Sequence, residues 1–414
     1  MPILAVGLDS FDTPLAGCTT HLASLLLGLA LREGAEPADY PWLVRLNPAV
    51  PWKTRGNASV ALLLRVASRG EGERLARSLA RAAMVYAEAG GHRKPSLVAL
   101  LVHGEGLEDY LSSRPPCLGR LYRRALRDVV TLGEARSCLA EAGAAGLLGP
   151  EARGLVGALA ALGADFTGDF TFELLAYRRP GLWGQPRRVD PETVVSFDLE
   201  TGPLTFSNYD YEADRPLVAP HGPDPVLYGV RGEEPEPLLH ALEAIDAGEE
   251  PSHWVVYRSN QATNQHLAPR PARHAAPYRA MMLWGVIEER PRRLPGGHVV
   301  ARVRDHTGSL EVAAYRETGP LRRVLEGLEP GAEVSVAGVV KPQEAGATLN
   351  LELLSVDGGP TPPYRPCGLR VWQPPLASLH HLAMPLERCR YRGEKLLRPP
   401  RRVDRVAGGF NGLP

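Results

Sequence analysis

Cysteine is scarce in this sequence, with five widely spaced residues among 414. An odd number of scattered cysteines does not build a disulfide framework and favours a reducing, cytoplasmic location. Long apolar runs are missing too, since a stretch such as Leu22–Leu31 is well short of the roughly 18 residues that span a bilayer. No basic segment precedes the first apolar stretch, Ile3–Leu8, so neither a signal peptide nor a membrane partner is expected.

The sequence has no net charge, because 47 Lys and Arg are balanced by 47 Asp and Glu. The balance fails locally, since residues 360–414 contain ten basic residues and only three acidic ones. Such an excess is typical of a surface that binds phosphate, and the alternative is a solvated basic tail that aids solubility.

Strand and helix patterns alternate up to about residue 270, which predicts an α/β or α+β body. Near Arg279 the pattern changes to five short strands with intervening glycines and one helical insert, Leu321–Leu328, which predicts a small OB-type barrel. The Pro-rich stretch Ala268–Pro277 is interpreted as the linker before it. The main elements expected in the body are strands at Ile3–Leu8, Ser59–Val66, Ser96–His103, Phe170–Tyr177 and Val194–Asp198, and helices at 19–32 and Glu71–Ala89.

The first strand leads into a loop that carries Asp9 and Asp12, and Thr19 and Thr20 open the helix that follows. Two carboxylates at this place suit Mg²⁺, and the free N–H groups of a helix N-terminus suit phosphate. Together they would hold a metal–nucleotide complex. The alternative is an ordinary turn that is capped by aspartate and threonine side chains.

A second cluster consists of Lys53, Arg55 and Asn57 around Gly56. Glycine lets the backbone approach an anion closely, and the cationic and amide side chains supply donors. This turn predicts either an anion site or an exposed basic hairpin.

Acidic residues also flank the strand that ends at Tyr177. Asp169 and Glu173 are an even number of residues apart, so on one extended strand they would share a face. A carboxylate there would complete a metal site or act as a general base. The alternative is a polar strand edge.

Three prolines and a glycine stiffen the loop 220–225 around His221 and Asp224, and a run of amides begins at Asn260 and Gln261. Amide and carboxylate oxygens suit a guanidinium or amine ligand, which offers only donors. The alternative for both segments is turn chemistry.

Several long blocks follow one another along residues 1 to about 267: GLDSFDTP at 7–14, GCTT at 17–20, RLNP at 45–48, PWKTRGN at 51–57, TFELLAYR at 171–178, TFSNYD at 205–210, PHGPDPVLYG at 220–229 and NQATNQH at 260–266. In content and order these blocks resemble the archaeal 2-agmatinylcytidine synthetases of isoleucine tRNA. The number and length of the blocks make the resemblance specific.

The resemblance implies an α+β multidomain fold, in which a kinase-like α/β domain is interleaved with a ferredoxin-like domain and followed by an OB-fold β-barrel and a small zinc-ribbon-like module. The kinase-like, ATP-binding catalytic domain would consist of residues 1–65 and 137–196, the ferredoxin-like domain of 66–136 and 197–267, the OB-fold of 278–356 and the basic module of 360–414.

The resemblance also implies a reaction in which ATP is cleaved to AMP and pyrophosphate. The C2 oxygen of the wobble cytidine of an isoleucine tRNA is activated by phosphorylation, and agmatine displaces it. ATP and Mg²⁺ are the implied cofactors, tRNA and agmatine are the implied partners, and no DNA partner is expected. Because the cytosine must leave its stack, modules outside the catalytic core are needed to hold the RNA.

The resemblance assigns roles to individual residues, with Thr19 as the threonine that becomes phosphorylated and Asp9 and Asp12 as the Mg²⁺-binding acids. The catalytic set is Asp9, Asp12, Thr19, Thr20, Lys53, Arg55 and Asp169, and the ATP-binding set is Asp9, Ser10, Asp12, Thr19, Lys53, Arg55, Gly56 and Asn57. The agmatine-binding set is Asn208, Asp210, His221, Asp224, Asn260 and Gln261, between the first two domains. The RNA-binding set is Arg388, Arg390, Arg392, Lys395, Arg401 and Arg402.

The sequence departs from the family pattern in two places. The family has two adjacent aspartates where this chain has Asp9 and Ser10, which weakens the metal site unless Asp169 or Glu173 compensates. A zinc ribbon needs two Cys-x-x-Cys pairs, whereas residues 360–414 contain only Cys367 and Cys389. Zinc is therefore not expected there, and the module is predicted to be a degenerate ribbon whose arginines hold RNA.

Both departures also favour an alternative function, that of a non-catalytic tRNA-binding paralogue. A further alternative is a phosphotransferase or ligase that acts on a small molecule. An enzyme of that class would not need residues 277–414.

Overall fold

The computed structural model of the protein describes residues 1–13, 17–53, 56–91, 95–202, 204–210, 214–318, 320–343, 346–358 and 389–392. The chain divides into two compact units. Within the described ranges, no helix is long and apolar enough to cross a membrane. The first unit consists of Met1–Leu46, Trp52–Phe197 and Pro216–Gln261, and the second of Asn47–Pro51, Asp198–Arg215 and Ala262–Pro414.

Strands and helices alternate over the first 200 residues. The strands are β1 (Pro2–Asp9), β2 (Glu36–Pro37), β3 (Trp42–Arg45), β4 (Ala58–Arg65), β5 (Ser96–His103), β6 (Ala145–Leu148) and β7 (Thr171–Tyr177). The helices are α1 (Thr19–Arg32), α2 (Arg69–Ala89), α3 (Leu107–Ser113), α4 (Pro116–Arg127), α5 (Leu132–Ala142), α6 (Gly154–Leu162) and α7 (Pro191–Thr201).

Strands dominate the rest of the described chain. They are β8 (Thr205–Phe206), β9 (Tyr209–Asp210), β10 (Arg215–Pro216), β11 (Val226–Gly232), β12 (His253–Ser259), β13 (Ala280–Ile287), β14 (Arg292–Arg293), β15 (Val299–Asp305), β16 (Gly308–Ala314), β17 (Glu333–Gln343), β18 (Gly346–Gly358) and β19 (Cys389–Arg392). The helices are α8 (Glu236–Leu239), α9 (Ala241–Ala244) and α10 (Pro320–Glu326).

A mixed sheet forms the centre of the first unit, with the strand order β6–β5–β1–β4–β3–β12–β7–β11. Its neighbours are antiparallel except for β3 and β12, which are parallel. Alternate residues of β1 lie in two different cores, Ile3 with α4–α6 on one face and Leu4 with α1 and α2 on the other. Both are fully buried, and each such side chain contributes about 1.5–3 kcal/mol, so the sheet is stabilised from both faces.

Helix α6 packs unusually closely on β1, and all nine of its residues are buried. A Cβ atom on Gly7 would lie only 2.1 Å from the carbonyl oxygen of Ala158. A side chain at position 7 would therefore force the helix away from the strand. The close contact brings the N-terminus of α6 to the loop that follows β1.

The second unit contains a closed five-stranded barrel. Its strands pair in the order β13–β17–β18–β16–β15, and β15 pairs back with β13. Only β16 and β18 are parallel, and α10 lies between β16 and β17 along the chain. The structure therefore confirms the barrel predicted from the glycine-punctuated strands, and the arrangement fits an OB-fold.

The strand predicted at Val194–Asp198 is wrong, because these residues belong to helix α7. The side chain of Asp190 accepts a hydrogen bond from the N–H of Glu192 at 3.0 Å, and Pro191 occupies the first helical position. Both features are helix start signals that outweigh the β-branched residues which follow them.

The stretch Ala268–Pro277 is packed against the barrel and is not a free linker. Met282 of β13 donates a hydrogen bond to the carbonyl oxygen of Ala268 at 2.8 Å and accepts one from Arg270 at 2.9 Å. The N–H of Ala272 donates to the Asp305 carboxylate at 2.8 Å. These bonds make the stretch part of the barrel wall.

Strand β19 is the described part of the basic module. It pairs antiparallel with β18, with Arg390 opposite Ser355 and Arg392 opposite Leu353. The predictions for RNA binding and against zinc stay predictions, because most of their residues lie outside the described part of the chain: Cys367, Arg388, Lys395, Arg401 and Arg402.

Candidate active site

A cavity of about 210 Å³ lies within the first unit. This volume is below the roughly 300–1,000 Å³ of a site that encloses a drug-sized ligand, so the cavity has room for only part of a larger ligand. It brings together four clusters that are far apart in the sequence. The predicted residues that line it are Asp12, Thr19, Thr20, Gly56, Glu173 and Asp224.

Thr19 and Asp12 form a hydrogen-bonded pair at the start of α1. The Thr19 hydroxyl donates to Asp12 Oδ2 at 2.8 Å and accepts a hydrogen bond from the N–H of Phe11 at 3.2 Å. A hydroxyl that donates to a carboxylate is the arrangement in which a base activates a nucleophile. Asp12 can therefore accept the hydroxyl proton while the Thr19 oxygen attacks a phosphorus atom.

Asp9 is the second carboxylate of this loop. Burial, and next the charge of Asp12, raise the pKa of Asp9 to about 7. A Cβ atom on Gly157 of α6 would lie 1.7 Å from Asp9 Oδ2, so this glycine makes the space for the carboxylate. Two crowded carboxylates of this kind fit a divalent cation, which would reverse the repulsion between them.

Ser10 stands between the two carboxylates in the left-handed region, with φ 67°. Its hydroxyl donates to Asp9 Oδ1 at 3.4 Å. The serine thus adds a donor to the loop where the family pattern has a further negative charge. Phe11 next to it is fully buried in the core under α1, so the aromatic ring does not block the loop.

Tyrosine hydroxyls hold the first turn of α1 from behind. The N–H of Cys18 donates to the Tyr86 hydroxyl oxygen at 3.0 Å, and the Tyr257 hydroxyl donates to the carbonyl oxygen of Thr20 at 2.8 Å. Tyr257 in turn lies 2.9 Å from the Tyr177 hydroxyl. Because the contacts are to backbone atoms, they fix the position of Thr19 without occupying its side chain.

His21 is buried in the same turn, between the rings of Tyr86, Tyr177, Trp183 and His253. Burial, and next the neighbouring His253, lower the pKa of His21 to about 4. Its Nδ1 atom lies 3.1 Å from the Tyr86 hydroxyl. The folded protein therefore favours the neutral imidazole.

This environment predicts a loss of stability in acid. An unfolded histidine takes up its proton near pH 6.5, so the contribution of His21 is complete above that pH and declines as the pH falls towards 4. We expect His21→Gln to remove up to about 3 kcal/mol of the difference in unfolding free energy between pH 7 and pH 4. Urea denaturation at the two pH values checks this, and His103→Gln, at an exposed position, is the control. An unchanged pH dependence in His21→Gln would contradict it.

The turn predicted to bind an anion is only partly described. Lys53 is exposed, Asn57 has a positive φ of 51°, and Arg55 lies outside the described residues. Gly56 lines the cavity, and a Cβ atom there would lie 3.0 Å from Arg45 Nη1. The glycine therefore lets a guanidinium approach the turn.

Glu173 lies in the interior of the sheet, so the interpretation as a polar strand edge is wrong. It pairs with Arg45 of β3 and with Arg231 of β11, each at 3.0 Å. Burial would raise the pKa of Glu173, but Arg231 and Arg45 hold it below its usual range. A carboxylate that is charged and held by two guanidiniums is not a candidate to replace the missing metal-binding acid.

Asp169 is not on the same strand as Glu173, because β7 begins at Thr171. The predicted shared face is therefore wrong. Asp169 is also not one of the residues that line the cavity. Its catalytic role stays a prediction.

Arg187 holds the loop 220–225. Its guanidinium donates hydrogen bonds of 2.7–2.8 Å to the carbonyl oxygens of Pro220, Gly222, Asp224 and Val226. It also lies 3.4 Å from the Asp224 carboxylate, which accepts a further bond from the N–H of Val226. Because the guanidinium donors have a fixed geometry, one side chain defines the shape of the whole loop.

The residues predicted to bind agmatine fall into both units. His221, which is exposed, belongs to the first unit together with Asp224, Asn260 and Gln261. Asn208 and Asp210 belong to the second unit, where the Asn208 amide donates to Asp198 Oδ1 at 2.9 Å. The agmatine contacts of all six stay predictions.

Asn260 uses its amide to fix Arg45. Its Oδ1 accepts a hydrogen bond from the N–H of Arg45 at 2.7 Å, and its Nδ2 donates to the Arg45 carbonyl oxygen at 2.9 Å and to the Tyr122 hydroxyl at 3.3 Å. These bonds imitate a strand partner at the end of β3. In this structure the amide therefore positions a cavity residue.

Two family models match the chain. The TiaS TCKD domain matches residues 5–147 and the TiaS FLD domain matches residues 152–266, which together is more than half of the sequence. The chain belongs to the TiaS family.

Relatives of known name agree with this assignment over nearly the whole length. The chain is 50% identical over 413 residues to TiaS of Hyperthermus butylicus, a 2-agmatinylcytidine synthetase of isoleucine tRNA. The alignment covers 96% of the chain and 95% of the relative. It is 37% identical to the synthetase of the same name from Staphylothermus marinus, over 86% of the chain and 77% of the relative.

Solved TiaS structures have the same fold. The complex of TiaS with isoleucine tRNA and ATP matches with a TM-score of 0.75 at 33% identity, over 86% of the chain and 81% of the solved chain. The complex of TiaS with the same tRNA, AMPCPP and agmatine matches with a TM-score of 0.74 at 32% identity, over 86% and 83%. The α+β fold is therefore that of TiaS.

Three arginines of this chain were not singled out as functional residues from the sequence: Arg45, Arg187 and Arg231. Arg45 begins the RLNP block but was given no chemical role, and Arg187 and Arg231 lie in none of the blocks that carry the resemblance. The available signal was a charged residue inside an otherwise apolar strand, such as Glu173 in β7, because charged residues are rarely buried unless they are paired. That signal predicts a partner but does not say which residue it is.

Proposed function

We propose that this chain is an ATP-dependent enzyme that joins agmatine to C2 of the wobble cytidine of an isoleucine tRNA and releases AMP and pyrophosphate. The proposal rests on the 50% identity to a 2-agmatinylcytidine synthetase over almost the entire chain. TiaS complexes with isoleucine tRNA, ATP, AMPCPP and agmatine support the choice of substrates. Within the site, the hydrogen bond from Thr19 to Asp12 is the observation that carries the proposal, because it provides a hydroxyl that can accept a phosphoryl group.

ATP is proposed to lie with its phosphates at the loop between Asp9 and Thr20. Asp9 and Asp12 would hold Mg²⁺ together with phosphate oxygens and water, as is usual for this ion. When bound, Mg²⁺ neutralises the charge that develops during phosphoryl transfer. Lys53 and Arg55 are proposed to contact the same phosphates from the turn.

Agmatine is proposed to bind at the loop that Arg187 holds. Asp224 is buried at the cavity, and its carboxylate is the kind of acceptor that a guanidinium or amine requires. His221, Asn260, Gln261, Asn208 and Asp210 complete the proposed set. Rigid placement of the loop would limit the orientations that the amine can adopt before it attacks C2.

The finer domain division is also a proposal. The kinase-like part would comprise 1–65 and 137–196, and the ferredoxin-like part 66–136 and 197–267. The barrel and the basic module would hold the tRNA, mainly through phosphates. Exposed arginines on the barrel, such as Arg292 on β14 and Arg302 on β15, support a role in RNA binding.

The decisive test is mass spectrometry of tRNA nucleosides after incubation with the protein, ATP and agmatine. We expect a modified cytidine in isoleucine tRNA whose mass exceeds that of cytidine by the mass of agmatine less the mass of one water molecule. Omission of ATP or of agmatine, and an isoleucine tRNA with a different wobble base, are the controls. Binding of tRNA without modification or pyrophosphate release would instead support the non-catalytic paralogue.

A further inference from the structure

Arg45 and Arg231 approach the cavity from two different strands. Arg231 is directly opposite Glu173 in the pairing of β11 with β7, and Arg45 reaches the same carboxylate from β3. Both arginine side chains are mostly buried, 27% and 16% exposed. The carboxylate thus fixes two guanidiniums at the cavity wall.

Most hydrogen-bond donors of these two arginines are unused. Each guanidinium has five N–H groups, and each uses one nitrogen atom, Nη2, to contact Glu173. The buried Nε atoms of both have no partner in the described structure. Arg187, which holds the loop 220–225 beside the cavity, is the opposite case, because four backbone carbonyl oxygens and a carboxylate accept hydrogen bonds from it.

The charge of this cluster selects the kind of ligand. Two guanidiniums and one ionised carboxylate give this cluster a net charge of +1. The two other carboxylates of the cavity lining, Asp12 and Asp224, accept hydrogen bonds from Thr19 and from Arg187. A cationic amine is repelled by the cluster, whereas an oxyanion can accept several charge-assisted hydrogen bonds. The cluster is therefore a poor site for agmatine and a good one for phosphate.

The position of the two arginines in the cavity indicates which molecule supplies that phosphate. Thr19 and Asp12 line the same cavity as the two arginines. A phosphodiester of tRNA has only two unesterified oxygens on each phosphorus, whereas a terminal phosphate of a nucleotide offers three acceptors to the two guanidiniums. The free end of a nucleotide is the better match.

We propose that Arg45 and Arg231 bind oxygens of the ATP phosphate chain opposite Thr19. This inference rests on the proposed function, because it assigns further substrate contacts to the same site. Glu173 is then a positioning residue, which keeps the two guanidiniums at a fixed separation.

The test uses the full chain with Arg231→Gln and Arg231→Lys. Inorganic pyrophosphate is titrated calorimetrically, and KM is measured separately for ATP, agmatine and tRNA. We expect Arg231→Gln to weaken pyrophosphate binding and raise the KM for ATP by about 10- to 100-fold, the range for lost hydrogen bonds to a charged group. The KM values for agmatine and tRNA should stay within about threefold.

Arg231→Lys keeps the charge beside Glu173 without the planar fork, so it should give an intermediate loss. If circular dichroism shows that Arg231→Gln does not fold, the same measurements on Arg231→Lys decide the inference. Arg69→Gln is the matched control, because it removes the same charge from the first unit at a side chain that is 76% exposed. It should change none of these constants.

Three results would overturn the inference: unchanged pyrophosphate binding and ATP KM, an increase in the KM for tRNA alone, or an equal increase in all three KM values. The second result would assign the arginines to a backbone phosphate of tRNA. Failure of the proposed function can be distinguished from failure of this inference. In that case the protein without any substitution would release no pyrophosphate from ATP with tRNA and agmatine. The calorimetric titration does not depend on turnover and decides the inference in either case.

Discussion

Replacement of Asp12 by alanine should lower the rate of pyrophosphate release by about 100- to 10,000-fold, the range for loss of a general base. Asp12 Oδ2 accepts a hydrogen bond of 2.8 Å from the Thr19 hydroxyl, and the charge of Asp12 acts on Asp9 nearby. The substitution removes both the hydrogen-bond acceptor of Thr19 and one of the two carboxylates that are proposed to hold Mg²⁺. A quenched-flow or coupled pyrophosphate assay with tRNA and agmatine measures the effect.

Asp12→Asn separates the two roles of the carboxylate, because the amide oxygen can still accept the hydrogen bond but carries no charge. We expect a loss nearly as large as that of Asp12→Ala. Glu73→Ala removes an exposed carboxylate from the first unit and is the control. Full activity of Asp12→Ala would remove this loop from the catalytic site.

Replacement of Arg178 by methionine should destabilise the first unit by about 3–5 kcal/mol. Arg178 is 2% exposed, and its Nε and Nη2 both contact Oε1 of Glu249, at 2.8 and 2.5 Å. Its Nη1 also donates to the carbonyl oxygen of Gln185 at 2.6 Å. The substitution leaves a largely buried carboxylate and a carbonyl oxygen without their donor. Urea denaturation, followed by circular dichroism, measures the change in unfolding free energy.

A double-mutant cycle identifies the cause of this loss. Arg178→Met combined with Glu249→Leu should recover much of the stability, since the uncompensated charge is removed. The exposed pair Arg69 and Glu73 is the comparison, and Arg69→Met should cost less than about 1 kcal/mol. A small loss in Arg178→Met, similar to that of Arg69→Met, would show that the buried pair contributes little.

Much of the fold could be predicted from the sequence, because apolar patterns report burial directly. The strands at Ile3–Leu8 and Ser96–His103, helix 19–32 and the barrel are confirmed. The prediction failed at Val194–Asp198, where two valines suggested a strand but the start signals Asp190 and Pro191 determined a helix. Local propensity is a weaker signal there than capping.

The site was predicted only as separate parts. The loop of Asp9, Asp12 and Thr19 could be found because its residues are close together in the sequence. The pairing of Glu173 with Arg45 and Arg231 could not, since it depends on the strand order β3–β12–β7–β11. Strand order is set by contacts between distant segments, and a single sequence carries little direct information about it.

The central position of β12 has a consequence for protein synthesis. β12 lies between β3 and β7 in the sheet, although it is made long after both of them. While a ribosome is still extending the chain before residues 253–259, the strand that hydrogen-bonds to both β3 and β7 is missing, so the sheet has a gap between Arg45 and Glu173. The cluster of Glu173 with Arg45 and Arg231 can therefore reach its final geometry only after the whole first unit has left the exit tunnel.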